Sequence, residues 1–284
     1  MNIDVPQKTV LSLFNDASRI VIKIGSALVV NVETLEPRVE WLEGFAGDVK
    51  ALQDQGKELI IIASGAVALG RHDSGFSPDQ KLNIPQKQVA ATWGKQYHTE
   101  IIRKAFSKAN VKVASGVVVE PAHLSEHDES YKNFRRTMSA ILKVDGVPII
   151  NENDTVATEE LQFGNNDVLA AQITDVMNAE LLVILSDVDG LYTKNPKEHD
   201  DALHIPYVPF LTDEIMSMAT DATSGVSTGG MASKVEAVKM AWNTGRDVII
   251  ANGTMMNPIS KLMQGLEKST SFVQSPMEPS SQIA

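Results

Sequence analysis

The stretch RIVIKIG, residues 19–25, is a short aliphatic run typical of a buried β-strand, and it ends in a glycine. Similar runs follow at ELIIIAS (58–64), VKVASGVVV (111–119), VPIIN (147–151), LLVILS (181–186) and DVIIAN (247–252). Amphipathic stretches of helical length separate most of these runs, for example residues 39–55, 133–145 and 167–179. Buried strands that alternate with helices predict an α/β fold around a mainly parallel sheet.

Composition and charge exclude several classes of function. The chain has 284 residues, of which 43% are hydrophobic, and a formal net charge of -11 without a cluster of Lys and Arg, so we expect no nucleic-acid partner. It contains no cysteine, which excludes disulfides and thiol nucleophiles. No apolar run approaches the roughly 20 residues that cross a bilayer, and the N-terminus lacks the pattern of a signal peptide. We therefore expect a cytoplasmic protein without a membrane partner.

The ends of the predicted strands are the places to search for a site, because ligands of such sheets bind outside the carboxyl ends of the strands. Ser64 and Gly65 directly follow the second run, where the free N–H groups of a helix would face an anion. An ordinary strand-to-helix turn gives the same pattern. Lys23 interrupts an otherwise apolar strand, so it either ends the strand at the surface or meets an anion.

A glycine pair lies in the stretch STGGMASKVEAVKMA, residues 227–241, which runs into a helical pattern. It is not a Walker A loop, because Met231, Ala232 and Ser233 separate the second glycine from Lys234. The pattern alone leaves two possibilities, a phosphate-binding turn and a flexible loop that enters a helix.

Two polar segments allow a plain and a functional interpretation. Residues 151–167, NENDTVATEELQFGNND, form either a solvated acidic loop or a site for an ammonium group. Residues 123–127, HLSEH, match a zinc-peptidase pattern, but the match is short and its polar surroundings do not predict a buried helix. We therefore predict no metal site formed by protein ligands.

Taken in order, VIKIGSALV, IIASGAVALGR, VPIINENDTVATEELQFGNNDVLAAQ, LLVILSDVDGLYTKNP and TGGMASKVEAVKMA resemble the amino acid kinase family. The resemblance covers about residues 18–265 and implies a three-layer α/β/α sandwich with a mainly parallel central sheet. INENDTVAT followed by FGNND is most similar to the members that phosphorylate the side-chain carboxylate of L-glutamate, the first step of proline biosynthesis. Ser227, where the family usually has glycine, and GSA in place of GSS depart from the pattern.

The resemblance also implies roles for individual residues. Lys23, Lys234 and Asp167 match the catalytic positions, with Asp167 orienting the two lysines. The substrate-binding positions are Ser64, Gly65, Asp154 and Asn166. The nucleotide-binding positions are Ser186, Asp187, Thr228, Gly229, Gly230, Met231, Ala232, Ser233 and Lys234.

The resemblance further implies ATP and Mg²⁺ as cofactors, L-glutamate as acceptor, proline as feedback inhibitor and a homo-oligomer, either dimer or tetramer. We expect one domain over residues 1–284, with an acceptor-binding lobe at about 18–178, a nucleotide-binding lobe at about 179–265 and a flexible tail at 274–284. Many bacterial members continue into a C-terminal PUA domain, which we expect this chain to lack. Two alternatives stay open: a family member with a different carboxylate or phosphate acceptor, and a non-catalytic sensor of acidic amino acids.

Overall fold

The computed structural model describes residues 8–120, 124, 129–155, 166–221 and 230–274. The strands in these residues are β1 (Arg19–Ile24), β2 (Glu58–Ala63), β3 (Lys112–Val119), β4 (Gly146–Glu152), β5 (Leu181–Ser186), β6 (Leu191–Tyr192), β7 (His204–Ile205), β8 (Tyr207–Val208), β9 (Asp247–Asn252) and β10 (Ser269–Phe272). The helices are α1 (Val10–Asp16), α2 (Ser26–Val29), α3 (Val39–Asp54), α4 (Ala66–Asp73), α5 (Ile84–Lys108), α6 (Glu129–Lys143), α7 (Asn166–Val176), α8 (Asp213–Asp221), α9 (Met231–Asn243) and α10 (Pro258–Met263).

One eight-stranded sheet forms the centre of the molecule, with the strand order β3-β4-β2-β1-β5-β9-β10-β8. All neighbouring strands run parallel except β9 and β10, which are antiparallel. Strands β6 and β7 form a separate antiparallel pair. Because β1 lies between β2 and β5, the carboxyl ends of these three strands meet at the middle of one sheet edge.

Each face of the sheet packs against its own layer of helices. Ile22 and Ile24 belong to a core with side chains from α1, α3, α5 and α10. Val21, one position away and therefore on the opposite face, belongs to a second core with side chains from α6, α7 and α9. The structure is thus a three-layer α/β/α sandwich with a mainly parallel sheet, which confirms the predicted fold class.

The six aliphatic runs all form strands, with ends that differ from the predicted ones by at most one residue. The expectation that each is buried is wrong for β3, whose residues are mostly half-buried or exposed because it lies at the edge of the sheet. The 25-residue helix α5 was not singled out in the sequence, although it has a strong start signal. Asn83 and Gln86 form a capping box there, and Pro85 between them lies in the first turn.

Candidate active site

A cleft of about 430 Å³ lies over the carboxyl ends of the central strands. Its lining comes from the ends of β1, β2, β4 and β5 and the segments that follow them, and from residues of α4, α5, α7 and α9. The polar and glycine residues of this lining are Lys23, Gly25, Ser26, Ser64, Gly65, Arg71, Lys87, Asn151, Asp154, Asn166, Asp167, Ser186, Asp187 and Lys234. Most residues predicted as substrate-binding or catalytic therefore lie around one cavity.

Lys23 points to the helical layer that contains α7 and α9. It lies within β1 between Ile22 and Ile24, whose side chains face the other layer. Its side chain is only 6% exposed, so it neither ends the strand nor reaches bulk solvent. A buried lysine needs an anionic or hydrogen-bonding partner. Because Lys23 faces the layer of α7 and α9, its partner must lie on one of these helices.

Asp167, in the first turn of α7, is the partner of Lys23. The Nζ of Lys23 lies 2.7 Å from Oδ1 of Asp167, and the Nζ of Lys234 lies 3.3 Å from Oδ2. The hydroxyl of Ser233 donates a hydrogen bond of 2.8 Å to Oδ2. Lys23 comes from strand β1 and Lys234 from the first turn of α9.

This carboxylate bridges two buried ammonium groups. Asp167 and Lys234 are each 2% exposed. Burial would raise the pKa of Asp167, but the charges of Lys23 and Lys234 together with the hydrogen bonds from Lys23 and Ser233 lower it to about 2. Burial lowers the pKa of Lys234, and Asp167 opposes that change. Two ammonium groups and one carboxylate leave a net positive charge at the bottom of the cleft.

Ser64, Gly65 and Asn166 form the neighbouring part of the cleft. The side-chain amide of Asn166 donates to Oγ of Ser64 at 2.9 Å and lies 3.4 Å from Oδ1 of Asn151. Gly65 is the N-cap of α4 and has φ +121°, a value that a residue with a Cβ rarely adopts. An added Cβ would also lie 3.3 Å from the side chain of Val29. The turn therefore requires glycine on two grounds.

Asp154 follows β4 and lines the same cleft. It is 6% exposed, so the solvated-loop interpretation does not describe this residue. Burial raises the pKa of Asp154 to about 6, although the charge of Lys95 on α5 acts in the opposite direction. A cationic ligand beside Asp154 would stabilise the ionised form of this buried carboxylate.

The predicted nucleotide-binding residues divide into two groups. Ser186 ends β5, and its hydroxyl donates a hydrogen bond of 3.0 Å to Oδ1 of Asp187. Gly230 is the N-cap of α9, and Met231, Ala232 and Ser233 form the first turn with Lys234. Thr228 and Gly229 lie outside the described residues, so the position of the loop before Gly230 stays a prediction.

Comparison with known proteins identifies the family. Residues 18–252 match the amino acid kinase family. The chain belongs to the amino acid kinase family. It is 42% identical to a glutamate 5-kinase of Brucella ovis over 262 residues, which cover 92% of this chain and 68% of that protein. A glutamate 5-kinase of Brucella abortus is 41% identical over the same shares of the two chains.

Solved structures of amino acid kinase type share the fold. A UMP kinase from Bacillus anthracis has a TM-score of 0.59 at 15% identity and covers 91% of this chain and 97% of its own. An isopentenyl phosphate kinase has a TM-score of 0.56 at 17% identity, with 90% of this chain and 100% of the other covered. At these identities the likeness shows the fold of the amino acid kinase and not its acceptor.

No group of three or more His, Cys, Asp or Glu side chains in the described part of this amino acid kinase is arranged to hold a metal ion. The HLSEH segment falls outside the described residues apart from Leu124. Within the described ranges, no helix has the length and apolar character needed to cross a bilayer.

Sequence reasoning missed several cleft residues of the amino acid kinase. Arg71 on α4 and Lys87 on α5 line the cavity, and Lys95 on α5 influences the pKa of Asp154. His98, also on α5, lies 3.0 Å from the carbonyl oxygen of Ser64 through its Nε2. Arg71 ends the motif IIASGAVALGR, so its place in a family motif could have identified it as a cleft residue. The sequence pattern of α5 does not distinguish its residues near the cleft from the others.

Proposed function

We propose that this amino acid kinase transfers the γ-phosphoryl group of ATP to the side-chain carboxylate of L-glutamate, giving glutamyl 5-phosphate and ADP. This is the first step of proline biosynthesis. The observation that carries the proposal is the buried bridge of Lys23, Asp167 and Lys234 at the bottom of a cleft that also contains the buried acid Asp154. The 42% identity to a glutamate 5-kinase supports the choice of glutamate among the acceptors of the family.

The chemistry needs no general base. A glutamate side chain has a pKa of about 4.3 in water, so the acceptor is already an anion at neutral pH. One carboxylate oxygen attacks the γ-phosphorus, the bond from that phosphorus to the β–γ bridging oxygen breaks, and ADP leaves with the electron pair. Positioning and charge stabilisation then account for the rate.

Lys23 and Lys234 supply that charge stabilisation. The acceptor carboxylate and the triphosphate repel each other, so cations must lie between them. Asp167 holds the two ammonium groups by its two oxygens, and all three side chains are almost completely buried, so these charges are preorganised. Because Asp167 cancels only one of the two positive charges, the bridge keeps a net charge that favours the transferring phosphoryl group.

On the acceptor side, the carboxylate of Asp154 binds the α-ammonium group of glutamate. Ser64, Gly65 and Asn166 bind the remaining polar groups of the substrate. The hydrogen bond between Asn166 and Ser64 fixes two of these residues before the substrate arrives. All four residues lie within the proposed acceptor-binding lobe, at about residues 18–178.

On the nucleotide side, Ser186, Asp187 and residues 228–234 bind ATP, within the lobe at about 179–265. The N-terminus of α9 directs its backbone N–H groups toward the phosphates. Mg²⁺ bound to the nucleotide would neutralise part of the phosphate charge. The cleft fits this arrangement, because its carboxylates are spread over Asp154, Asp167 and Asp187 without forming a three-ligand cluster among the described residues.

We also propose that the protein is cytoplasmic and that it forms a homo-oligomer, either a dimer or a tetramer. Size-exclusion chromatography with light scattering tests the oligomeric state. We also propose that residues 1–284 form one domain. The tail expected to be flexible, 274–284, lies outside the described residues apart from Gln274.

Proline is proposed to bind at the acceptor subsite. It retains the α-carboxylate and a cationic amine but lacks the side-chain carboxylate, so it would occupy the subsite at Asp154 and Asn166 without being phosphorylated. Added glutamate should then move the proline inhibition curve to higher proline concentration. Inhibition that glutamate does not relieve would place proline at a separate site.

Formation of a hydroxamate tests the proposed function. The protein is incubated with ATP, Mg²⁺, hydroxylamine and one acceptor at a time: glutamate, acetylglutamate, carbamate or uridylate, with ADP release measured in parallel. We expect hydroxamate and ADP with glutamate. ADP with another acceptor alone would identify a different kinase, and glutamate binding without ADP would indicate a sensor.

A further inference from the structure

Helix α5 places a buried histidine behind the acceptor side of the cleft. His98 is 3% exposed, and its Nε2 lies 3.0 Å from the carbonyl oxygen of Ser64. A carbonyl oxygen can only accept a hydrogen bond, so Nε2 carries the proton in this contact. Burial lowers the pKa of His98 to about 4, with the nearby charge of Lys95 acting in the same direction and the hydrogen bond to Ser64 against it. The imidazole is therefore neutral at neutral pH.

Within the part of the chain that the structure describes, no backbone N–H donates to the carbonyl oxygen of Ser64 that His98 contacts. Helix α4 begins after Ser64, and its first backbone bond runs from Leu69 to the oxygen of Gly65. The N–H of Ser64 is bonded to the oxygen of Ile24 on the neighbouring strand. His98 supplies a donor to the oxygen in a partly buried contact, so both backbone groups of Ser64 are paired, and leaving this carbonyl unpaired would cost free energy.

The position of α5 relative to this turn is tightly determined. A Cβ added to Gly94 would lie 1.9 Å from the oxygen of Ala66, the first residue of α4, and one added to Gly70 would lie 1.8 Å from the oxygen of Ala90. Helices α4 and α5 are thus in backbone contact. His98 follows Gly94 by one helical turn, so its ring lies on the same side of α5 and cannot shift without moving this contact.

We propose that His98 is a positioning residue, which holds the Ser64–Gly65 turn in the place where Ser64 and Gly65 bind the acceptor. It acts through Ser64, whose hydroxyl also accepts from Asn166. The inference rests on the proposed function, because it assigns the turn to the acceptor and not to the nucleotide. Substitution of His98 should therefore impair the use of glutamate more than the use of ATP.

Substitution by two residues of similar size separates positioning from packing. His98→Leu removes the donor, whereas His98→Gln keeps an N–H at a position similar to Nε2. We expect His98→Leu to lower kcat/KM for glutamate by about tenfold to a hundredfold with little change in the KM of ATP. His98→Gln should restore most of the loss. His72→Leu, at an exposed position of α4, is the matched control and should change neither constant.

Several results would overturn the inference. The first is that His98→Leu leaves KM and kcat for glutamate unchanged. The second is that His98→Gln loses as much kcat/KM for glutamate as His98→Leu does. The third is that His98→Leu changes the KM of ATP as much as the KM of glutamate. Nitrogen-15 NMR of labelled histidine in the wild-type protein gives a test that holds even if a variant does not fold: we expect a neutral ring protonated at Nε2 from pH 6 to 8, and a ring protonated at Nδ1 alone or charged in that range would refute it. A wild-type protein without glutamate kinase activity would instead refute the proposed function. The wild-type assay therefore separates failure of the proposed function from failure of the role of His98.

Discussion

Lys23 in β1 and Asp167 at the start of α7 form an ion pair of 2.7 Å, and both side chains are almost completely buried. The parallel arrangement of the central strands brings the two residues together, because it places the face of β1 that contains Lys23 beneath α7. A buried ion pair of this kind is poor evidence for stability, since desolvation offsets much of the attraction. Its position at the bottom of the cleft supports the proposal that the pair serves the reaction.

Replacing either lysine should affect turnover more than binding. We expect Lys23→Ala and Lys234→Ala each to lower kcat by about 10²-fold or more, because each removes one preorganised charge from the transferring phosphoryl group. Steady-state kinetics with glutamate and ATP checks this, and calorimetry measures glutamate binding. Lys104→Ala, at an exposed position on α5, serves as control. Near wild-type turnover in either cleft variant would refute the role of that lysine.

The ion-pair network predicts a large loss of stability for Asp167→Asn. The substitution removes the carboxylate that both buried ammonium groups contact, and breaking a buried pair costs about 3–5 kcal/mol. Ser233→Ala removes one hydrogen bond to the same carboxylate and should cost about 1 kcal/mol. Urea denaturation of both variants gives the comparison. If Asp167→Asn unfolds no more readily than Ser233→Ala, Asp167 does not compensate both lysines.

Much of this site could be anticipated from the sequence. Lys23 was conspicuous because a cation interrupts an apolar strand, and the glycines before Lys234 predicted the entrance to a helix. The burial of Asp154, which is 6% exposed, could not be predicted, because NEND has the composition of a solvated turn. His98 was missed for a related reason: its role depends on the contact between α4 and α5, which no local periodicity shows.

Asp154 should weaken the fold while it serves binding. Its raised pKa means that ionised Asp154 lowers the stability of the ligand-free protein by up to about 3 kcal/mol at neutral pH. We therefore expect Asp154→Asn to raise the free energy of unfolding at pH 7.5 and to weaken glutamate binding by about 2–5 kcal/mol, with ATP binding nearly intact. Urea denaturation and calorimetry measure the two effects. Unchanged glutamate affinity would remove Asp154 from the ammonium site.

The same carboxylate predicts a pH dependence. The pKa of Asp154 in the folded protein, about 6, lies above the ordinary value of 3.8, so the native state binds the extra proton between these values. The contribution of Asp154 to stability should therefore fall as the pH rises from about 4 through 6 and stay constant above. Glutamate affinity should change in the opposite sense and decrease as the pH drops through about 6. Asp154→Asn should abolish this step in calorimetric titrations from pH 5 to 8, and a step that persists would assign it to another group.

Isotope transfer from the acceptor tests the proposed reaction most directly. L-Glutamate with both side-chain oxygens labelled with oxygen-18 is incubated with the protein, ATP, Mg²⁺ and hydroxylamine, and the released phosphate is analysed by mass spectrometry. If a carboxylate oxygen attacks the γ-phosphorus, the acyl phosphate gives up that oxygen with the phosphate when hydroxylamine displaces it at carbon. We predict one oxygen-18 atom in each phosphate released. Phosphate without label, formed at the same rate, would mean that water and not glutamate accepts the phosphoryl group, and it would contradict the assignment of this cleft to glutamate phosphorylation.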